Sequence, residues 1–151
     1  MQPSSATDVG KAFITALAQR DFSGLADTLR ADVRMRALIP PGPLEISGAE
    51  AAAAKFAAWF GDAEEFELIR SGSDTVADRL HVFYRLRVKK PGDIAKIVEQ
   101  HLLCAFDDHR ITALDLVCTG FRPELRTRTA EMGRTKVARR RKTRRKTASG
   151  A

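Results

Sequence analysis

Two long strand-like segments near the end of the chain constrain the fold more than any other feature. The composition of residues 97–106 and 111–119 is typical of strands, and the polar segment 107–110 between them is typical of a turn. Strand side chains alternate between two faces, so Gln100 and Cys104 share one face of the first strand. We therefore predict an antiparallel hairpin, for which the rest of the chain supplies neighbouring strands and a helical cover.

The order of the preceding elements predicts an α+β domain. Apolar residues at helical spacing predict helices over residues 8–19 and 22–29, and Ser47 with Glu50 has the spacing of a capping box that opens a third helix ending at Phe60. Strands are predicted over residues 32–37, 64–70 and 75–89, with an irregular proline-rich loop at 38–43 and turns at 71–74 and 90–93. Three N-terminal helices on a curved, cone-shaped, mainly antiparallel sheet would enclose an interior pocket, which is a common place for ligands.

Charge divides the chain into a domain and a tail. The last 26 residues hold 11 of the 26 Lys and Arg but one of the 19 Asp and Glu, a net charge of +10, so the first 125 residues carry −3 of the total +7. We predict an N-terminal extension over residues 1–5, a domain over 6–124 and a basic tail over 125–151.

The tail carries its densest charge as seven cations in eight residues. These are Arg139, Arg140, Arg141, Lys142, Arg144, Arg145 and Lys146. A segment this polar cannot build a core and is predicted to be disordered. Its charge predicts non-specific binding of nucleic acid or another polyanion, while the lack of aromatic residues argues against base stacking. A solubilising tail without a dedicated partner is the alternative, and an anionic membrane surface is less favoured because no apolar anchor accompanies the charges.

Cysteine and histidine usage predicts neither a disulfide nor a metal site. The hairpin places Cys104 opposite a residue near Ala113, roughly 17 Å from Cys118, which is too far for a disulfide. The three histidines lack metal-ligand spacing and no phosphate-binding loop is present, so no cofactor is predicted. The absence of an apolar run of about 18 residues and of a signal-peptide pattern predicts a cytoplasmic protein without a membrane span.

Several short motifs resemble one known superfamily. They are residues 13–17 before Asp21, the Ser47-Gly48 entry to the third helix, residues 106–111 and residues 118–123. With the order helix–helix–strand–helix followed by four strands, the chain over about residues 6–123 resembles the SnoaL-like branch of the nuclear transport factor 2-like superfamily. The resemblance implies a cone-shaped fold and a homodimer that pairs through its sheets. It does not choose among the isomerases, cyclases, epoxide hydrolases, dehydratases, transport adaptors and proteins of no known activity in that superfamily.

The catalytic positions implied by the resemblance are mostly occupied by apolar residues. The proton-transfer positions of the ketosteroid isomerases match Phe13, Ala37 and about Leu102. The epoxide hydrolase pattern leaves Arg79 and His81, with its remaining positions on Met35, Ala37 and Leu116. Asp115, the nearest candidate for the inward carboxylate of SnoaL-type cyclases, alternates with Leu114 and Leu116 and is predicted to face outward.

These residues define a candidate ligand site. The predicted pocket is lined by Phe13, Met35, Ala37, Trp59, Leu102 and Leu116, with Arg79, His81 and Gln100 as polar contacts. The favoured function is binding of a small apolar molecule, with Gln100 either orienting a ligand carbonyl or serving as a satisfied core amide. The alternative is an isomerase or cyclase that uses His81 as general base. A third possibility is an interaction protein in which a dimeric domain presents two basic tails to nucleic acid.

Overall fold

Three helices and seven strands follow one another in the computed structural model, which describes residues 6–125. The helices are α1 (Ala6–Ala18), α2 (Phe22–Asp27) and α3 (Ala49–Phe60). The strands are β1 (Leu29–Ile39), β2 (Gly42–Ser47), β3 (Glu65–Val76), β4 (Arg79–Lys89), β5 (Lys96–Phe106), β6 (Ile111–Cys118) and β7 (Arg122–Pro123). The predicted extension at residues 1–5 and the seven tail cations lie outside the described residues. No helix within residues 6–125 is long and apolar enough to cross a membrane.

The strands form one curved sheet in the order β2-β1-β6-β5-β4-β3, with β7 pairing separately with β5. Neighbours are antiparallel except β1 and β6, which run parallel. The predicted hairpin is confirmed: Cys104 lies opposite Leu114, and Ala105 lies opposite Ala113. Cys118 lies opposite Gln100, and both cysteines are free. The α+β fold with a mainly antiparallel sheet is therefore confirmed.

Alternation of side chains along the strands gives the sheet one apolar face. On β4, Leu80, Val82 and Tyr84 are fully buried while the residues between them remain partly exposed. This inner face packs against α1 and α3, where the ring of Phe13 meets that of Phe56 edge to face at 5.6 Å. The core therefore lies between the helices and one face of the sheet, and no helix among residues 6–125 covers the opposite face.

Two predicted connections are parts of strands. The predicted loop at 38–43 is shortened to a turn at residues 40–41, between the end of β1 and the start of β2. Strand β2 accommodates Pro43 because an edge strand tolerates a missing N–H. The predicted turn at 71–74 lies inside β3, where Gly72 pairs with Phe83. A Cβ at Gly72 would come within 2.6 Å of the Phe83 ring, so the glycine marks a close approach rather than a turn.

The predicted capping box at the start of α3 is also corrected. Ser47 is the last residue of β2, and the N-cap of α3 is Gly48, which has φ 99° and no side-chain cap bond. Glycine fits this position because that conformation is unfavourable for residues with a Cβ. The chain therefore enters α3 directly from a strand, without a side-chain cap.

Candidate functional site

Most residues predicted to line a pocket form the hydrophobic core instead. Phe13, Met35, Leu102 and Leu116 are at most 1% exposed, and Ala37 is nearly as buried. Trp59 is partly buried, with its ring against Phe56 and the ammonium of Lys55 over its face. The structure brings these apolar residues together on the inner side of the sheet, where they pack against one another.

One polar cluster interrupts this apolar interior. The hydroxyl of Tyr84 donates a hydrogen bond to Oε1 of Gln100, which is 1% exposed. Nε2 of Gln100 in turn donates to Sγ of Cys118 at 3.4 Å, and Cys118 is only partly buried. Burial raises the pKa of Tyr84 well above its ordinary value, so this hydroxyl stays protonated and acts as a donor. The cluster therefore runs from the centre of the core to a partly exposed thiol.

Among residues 6–125, no charged side chain is buried in the interior. Within the described part of the chain, the buried polar or charged residues are Thr28 and Gln100, besides the Tyr84 hydroxyl and the Cys104 thiol. Burial raises the pKa of Cys104 to about 12, so its thiol stays neutral. None of these groups is a carboxylate or an imidazole that could act as a general base near neutral pH.

His81 and Arg79 lie on the opposite face from Gln100, which corrects the predicted pocket. On β4 they alternate with the buried Leu80, and β4 pairs with β5 so that Tyr84, not His81, lies opposite Gln100. Arg79 is exposed and lies 3.9 Å from Asp78. Neither side chain can contact a ligand held among the interior residues.

His81 instead belongs to a chain of hydrogen bonds across the outer face. Nδ1 of His81 lies 2.9 Å from Oδ1 of Asp74, and its Nε2 lies 3.1 Å from Nδ1 of His101. Nε2 of His101 lies 2.9 Å from Oε2 of Glu99, whose other oxygen accepts from Nε of Arg85 at 2.7 Å. The bonds from His101 and from Arg85 lower the pKa of Glu99, although partial burial opposes them. Among the described residues, no group of three or more His, Cys, Asp or Glu is arranged to hold a metal ion.

The ring of Phe83 completes this cluster. It lies 5.5 Å from the rings of both His81 and His101, and all three planes are within 24° of parallel. Phe83 extends over Gly72, and the guanidinium of Arg70 lies 5.4 Å from the centre of its ring. The three rings therefore pack against one another on the outer face.

Apolar residues continue from this cluster across the sheet. The register places Leu38, Val117, His101 and Phe83 side by side on β1, β6, β5 and β4, and this set is termed the outer row. Leu38 is 59% exposed and Val117 is 56% exposed. Beside the row, Arg36 binds Asp115 through both carboxylate oxygens, at 2.7 and 3.1 Å. Those bonds to Arg36 lower the pKa of Asp115, which faces outward as predicted.

The described part of the chain has two open concavities, one beside the helices and one on the sheet. A groove of about 890 Å³ runs between α2, α3 and the start of β1. Alanines make up nearly half of its lining, which also includes Asp27, Glu50 and Arg110. A shallower depression of about 520 Å³ lies over β2, β1 and β6, beside Leu38 and Val117 of the outer row. No residue of the predicted site lines the groove, whereas Ala37 and Leu116 border the depression.

Comparison with known proteins places this architecture in a family. A family model described as the SnoaL-like domain matches residues 11–119, which is more than half of the chain. The chain belongs to the SnoaL-like family. No significant match was found among curated proteins.

Solved structures similar to this SnoaL-like domain share its fold at low sequence identity. An NTF2-like protein of unknown function from Cytophaga hutchinsonii is 17% identical over 82% of this chain and 94% of that chain, with a TM-score of 0.56. A putative SnoaL-like polyketide cyclase from Shewanella putrefaciens is 10% identical over 75% and 88%, with a TM-score of 0.60. TerC, co-crystallised with polyporic acid, is 15% identical over 74% and 90%, with a TM-score of 0.58. At these identities the similarity shows the fold alone.

Sequence reasoning missed Tyr84, Asp74 and Glu99 in this SnoaL-like domain. Tyr84 continues the apolar alternation of Leu80 and Val82, so its hydroxyl gives no signal until the pairing with Gln100 is known. Asp74 was assigned to a turn, although β3 carries it to a position opposite His81. The same alternation would have assigned His81 to the outer face.

We predict that Tyr84→Phe destabilises the domain by about 1–3 kcal/mol, because it leaves the buried carbonyl oxygen of Gln100 without a donor. Urea unfolding measures this loss. The double variant Tyr84→Phe with Gln100→Met removes both polar groups and should recover most of it. Equal destabilisation of the single and the double variant would contradict the assigned bond.

Proposed function

We propose that this SnoaL-like domain binds a small, mainly apolar molecule that carries a carbonyl or similar acceptor. The supporting observation is the single polar cluster of the described interior, Tyr84–Gln100–Cys118, within apolar surroundings. A few polar groups in an apolar site are what orients a small ligand. Gln100 has two amide hydrogens, and its observed acceptor is a thiol sulfur, which is a weak one. A ligand carbonyl would replace that sulfur with a stronger acceptor.

Access to this cluster is proposed at Cys118. Cys118 is the only partly exposed member of the three, at the end of β6, and its Sγ also accepts from the backbone N–H of Gly120 at 3.3 Å. Because Tyr84 and Gln100 are almost fully buried, a ligand reaches them only by displacing side chains, which favours a small molecule. The fold of TerC, which was crystallised with polyporic acid, is compatible with this proposal.

Binding is better supported than proton-transfer catalysis. An isomerase or cyclase needs a base within hydrogen-bond reach of its substrate. The described interior contains no ionised side chain, and His81 lies on the other side of the sheet. The alternative with His81 as general base would therefore require a substrate bound on the exposed outer face.

We also propose that a second copy of the chain covers the outer face. The outer row exposes Leu38 and Val117 next to a 42% exposed Leu103, so three large apolar side chains lie together on one face. The neighbouring Arg36–Asp115 pair carries both signs of charge, so two-fold pairing can bring opposite charges together. Members of this fold family often form dimers, which agrees with the proposal.

For the tail we propose non-specific binding of nucleic acid or another polyanion. The support comes from composition: residues 126–151 carry a net charge of +10, while the remainder carries −3. Neutralised phosphates release counterions, so such binding depends steeply on salt. In a dimer two tails would act together and strengthen attachment to one polyanion.

We predict that iodoacetamide alkylates Cys118 first and Cys104 only after unfolding, because Cys104 is buried and its pKa is raised to about 12. In a second reaction, benzophenone, an apolar ketone, is present as a probe before iodoacetamide is added. It should slow the alkylation of Cys118, which is followed by intact-mass spectrometry. Gln100→Met is the matched control, in which the protection should weaken. Undiminished alkylation with benzophenone and with a steroid ketone would count against the interior site.

We predict that full-length protein binds duplex DNA with a log–log salt slope of roughly −6, which corresponds to about seven neutralised phosphates. Replacing the seven cations within residues 139–146 by glutamine should abolish most of the slope in a fluorescence anisotropy titration. The control Lys11→Gln with Lys55→Gln changes charge on the domain and should leave the slope nearly unchanged. Equal binding by a chain ending at Leu125 would assign the activity to the domain instead.

We predict that Val117→Arg converts a dimer into a monomer, because it introduces unpaired charge into the proposed interface. Ile94→Arg is the matched control: Ile94 is 60% exposed and lies in the β4–β5 connection, off the outer row. Sedimentation equilibrium distinguishes the two. A wild-type monomer, or dissociation by both variants, would be the contradicting result.

A further inference from the structure

The hydrogen bonds of His81 and His101 on the outer face determine how many hydrogens the two imidazoles carry together. In the observed contacts, the carboxylates of Asp74 and Glu99 each require an N–H from the imidazole they face. These two bonds use Nδ1 of His81 and Nε2 of His101. The other two ring nitrogens, Nε2 of His81 and Nδ1 of His101, are 3.1 Å apart and face each other. A bond between them requires one further hydrogen.

Two neutral imidazoles cannot satisfy all three contacts. Each neutral ring carries one N–H, so two rings supply two hydrogens for three bonds. Any neutral arrangement either places two bare nitrogens 3.1 Å apart or turns a bare nitrogen toward a carboxylate. Two imidazolium rings fail in the opposite way, because two N–H groups then face each other. Only the state with one imidazolium charge shared by the pair forms every bond.

That same state makes the five hydrogen-bonded side chains electrically neutral as a set. Asp74 and Glu99 contribute two negative charges, and Arg85 with the shared imidazolium contributes two positive charges. Gain of a proton makes the cluster positive, and loss of a proton makes it negative. Burial of an uncompensated charge in an interface is costly, whereas a neutral, fully bonded set of charges is tolerated.

Five further charged side chains lie around the pair. They are Arg70 on β3, Arg79 on β4, Asp115 on β6, and Arg34 and Arg36 on β1. Asp115 remains ionised because its bonds to Arg36 lower its pKa. Histidine is the side-chain type whose charge ordinarily changes near neutral pH, so we assign a pH response of this face to the pair.

We propose that His81 and His101 share one proton at the centre of the outer face, and that this proton sets the pH range in which two copies of the chain pair. This inference rests on the proposed dimer. Val117 of the outer row lies directly opposite His101, so an interface over the row also covers the pair. Association is then strongest where one proton is shared, and it weakens toward both acid and alkaline pH.

Sedimentation equilibrium of the full chain from about pH 5 to about pH 9 tests the proposal, since this range spans the titration of imidazole. The dimer dissociation constant of the wild type should pass through a minimum and rise roughly tenfold toward each end. His81→Gln and His101→Gln should each flatten this profile. His109→Gln alters the histidine of the β5–β6 turn, away from the outer row, and should retain the minimum.

Long-range ¹H–¹⁵N spectra of the imidazoles provide a second measurement on the unaltered protein. Near the minimum they should show Nδ1 of His81 and Nε2 of His101 protonated, with one hydrogen between the other two nitrogens. Two ordinary neutral rings at that pH would overturn the proposal even if a variant failed to fold. A dimer whose profile is flat, or unchanged by His101→Gln, overturns the proposal and leaves the dimer standing. A monomer at every pH overturns the proposed dimer and with it this inference.

Discussion

The pairing of β4 with β5 determines the chemistry of both faces of the sheet. It places Tyr84 opposite Gln100 on the inner side and Phe83 opposite His101 on the outer side. A slip of β4 by one residue against β5 would bring His81 into the core and expose Tyr84. The buried Tyr84–Gln100 bond opposes such a slip, since the carbonyl oxygen of Gln100 would stay buried and lose its donor. The inner site and the outer cluster therefore depend on the same register.

Much of the fold was predictable because its signals are local. Alternation of apolar and polar residues identified the strands and the final hairpin, and helical spacing identified the helices. The errors occurred at glycine and proline residues whose place in a strand depends on neighbours that are distant in sequence. Gly72 suggested a turn, but it lies in a strand because Phe83 occupies the space of its missing side chain. Pro43 suggested a loop, but it lies on an edge strand whose outer side needs no hydrogen bond.

The candidate site was harder to predict because it depends on contacts between strands. An ungapped match to the family's catalytic positions does not show which face of a strand a residue occupies. It therefore grouped Arg79 and His81, which lie on the outer face of the sheet, with Gln100, which lies on the inner face. Alternation along the strand identified Gln100 as the one polar residue on an otherwise apolar strand face. It could not identify its donor, because Tyr84 lies 16 residues away and becomes a neighbour only in the folded sheet. Partners such as Asp74 and Glu99 are equally invisible without the register.

The charged side chains of the outer face are difficult to explain by stability alone. Arg36 and Asp115 are both about half exposed, and exposed ion pairs contribute little to folding, about 0–1 kcal/mol. Compensated charge has a second consequence, because a surface without unpaired charge can be covered by a partner at lower cost. Arg36–Asp115 and Arg85–Glu99 provide such compensation at every pH at which both partners are ionised. Asp74 faces an imidazole instead of a guanidinium, so compensation of its charge depends on the proton that we propose His81 and His101 share.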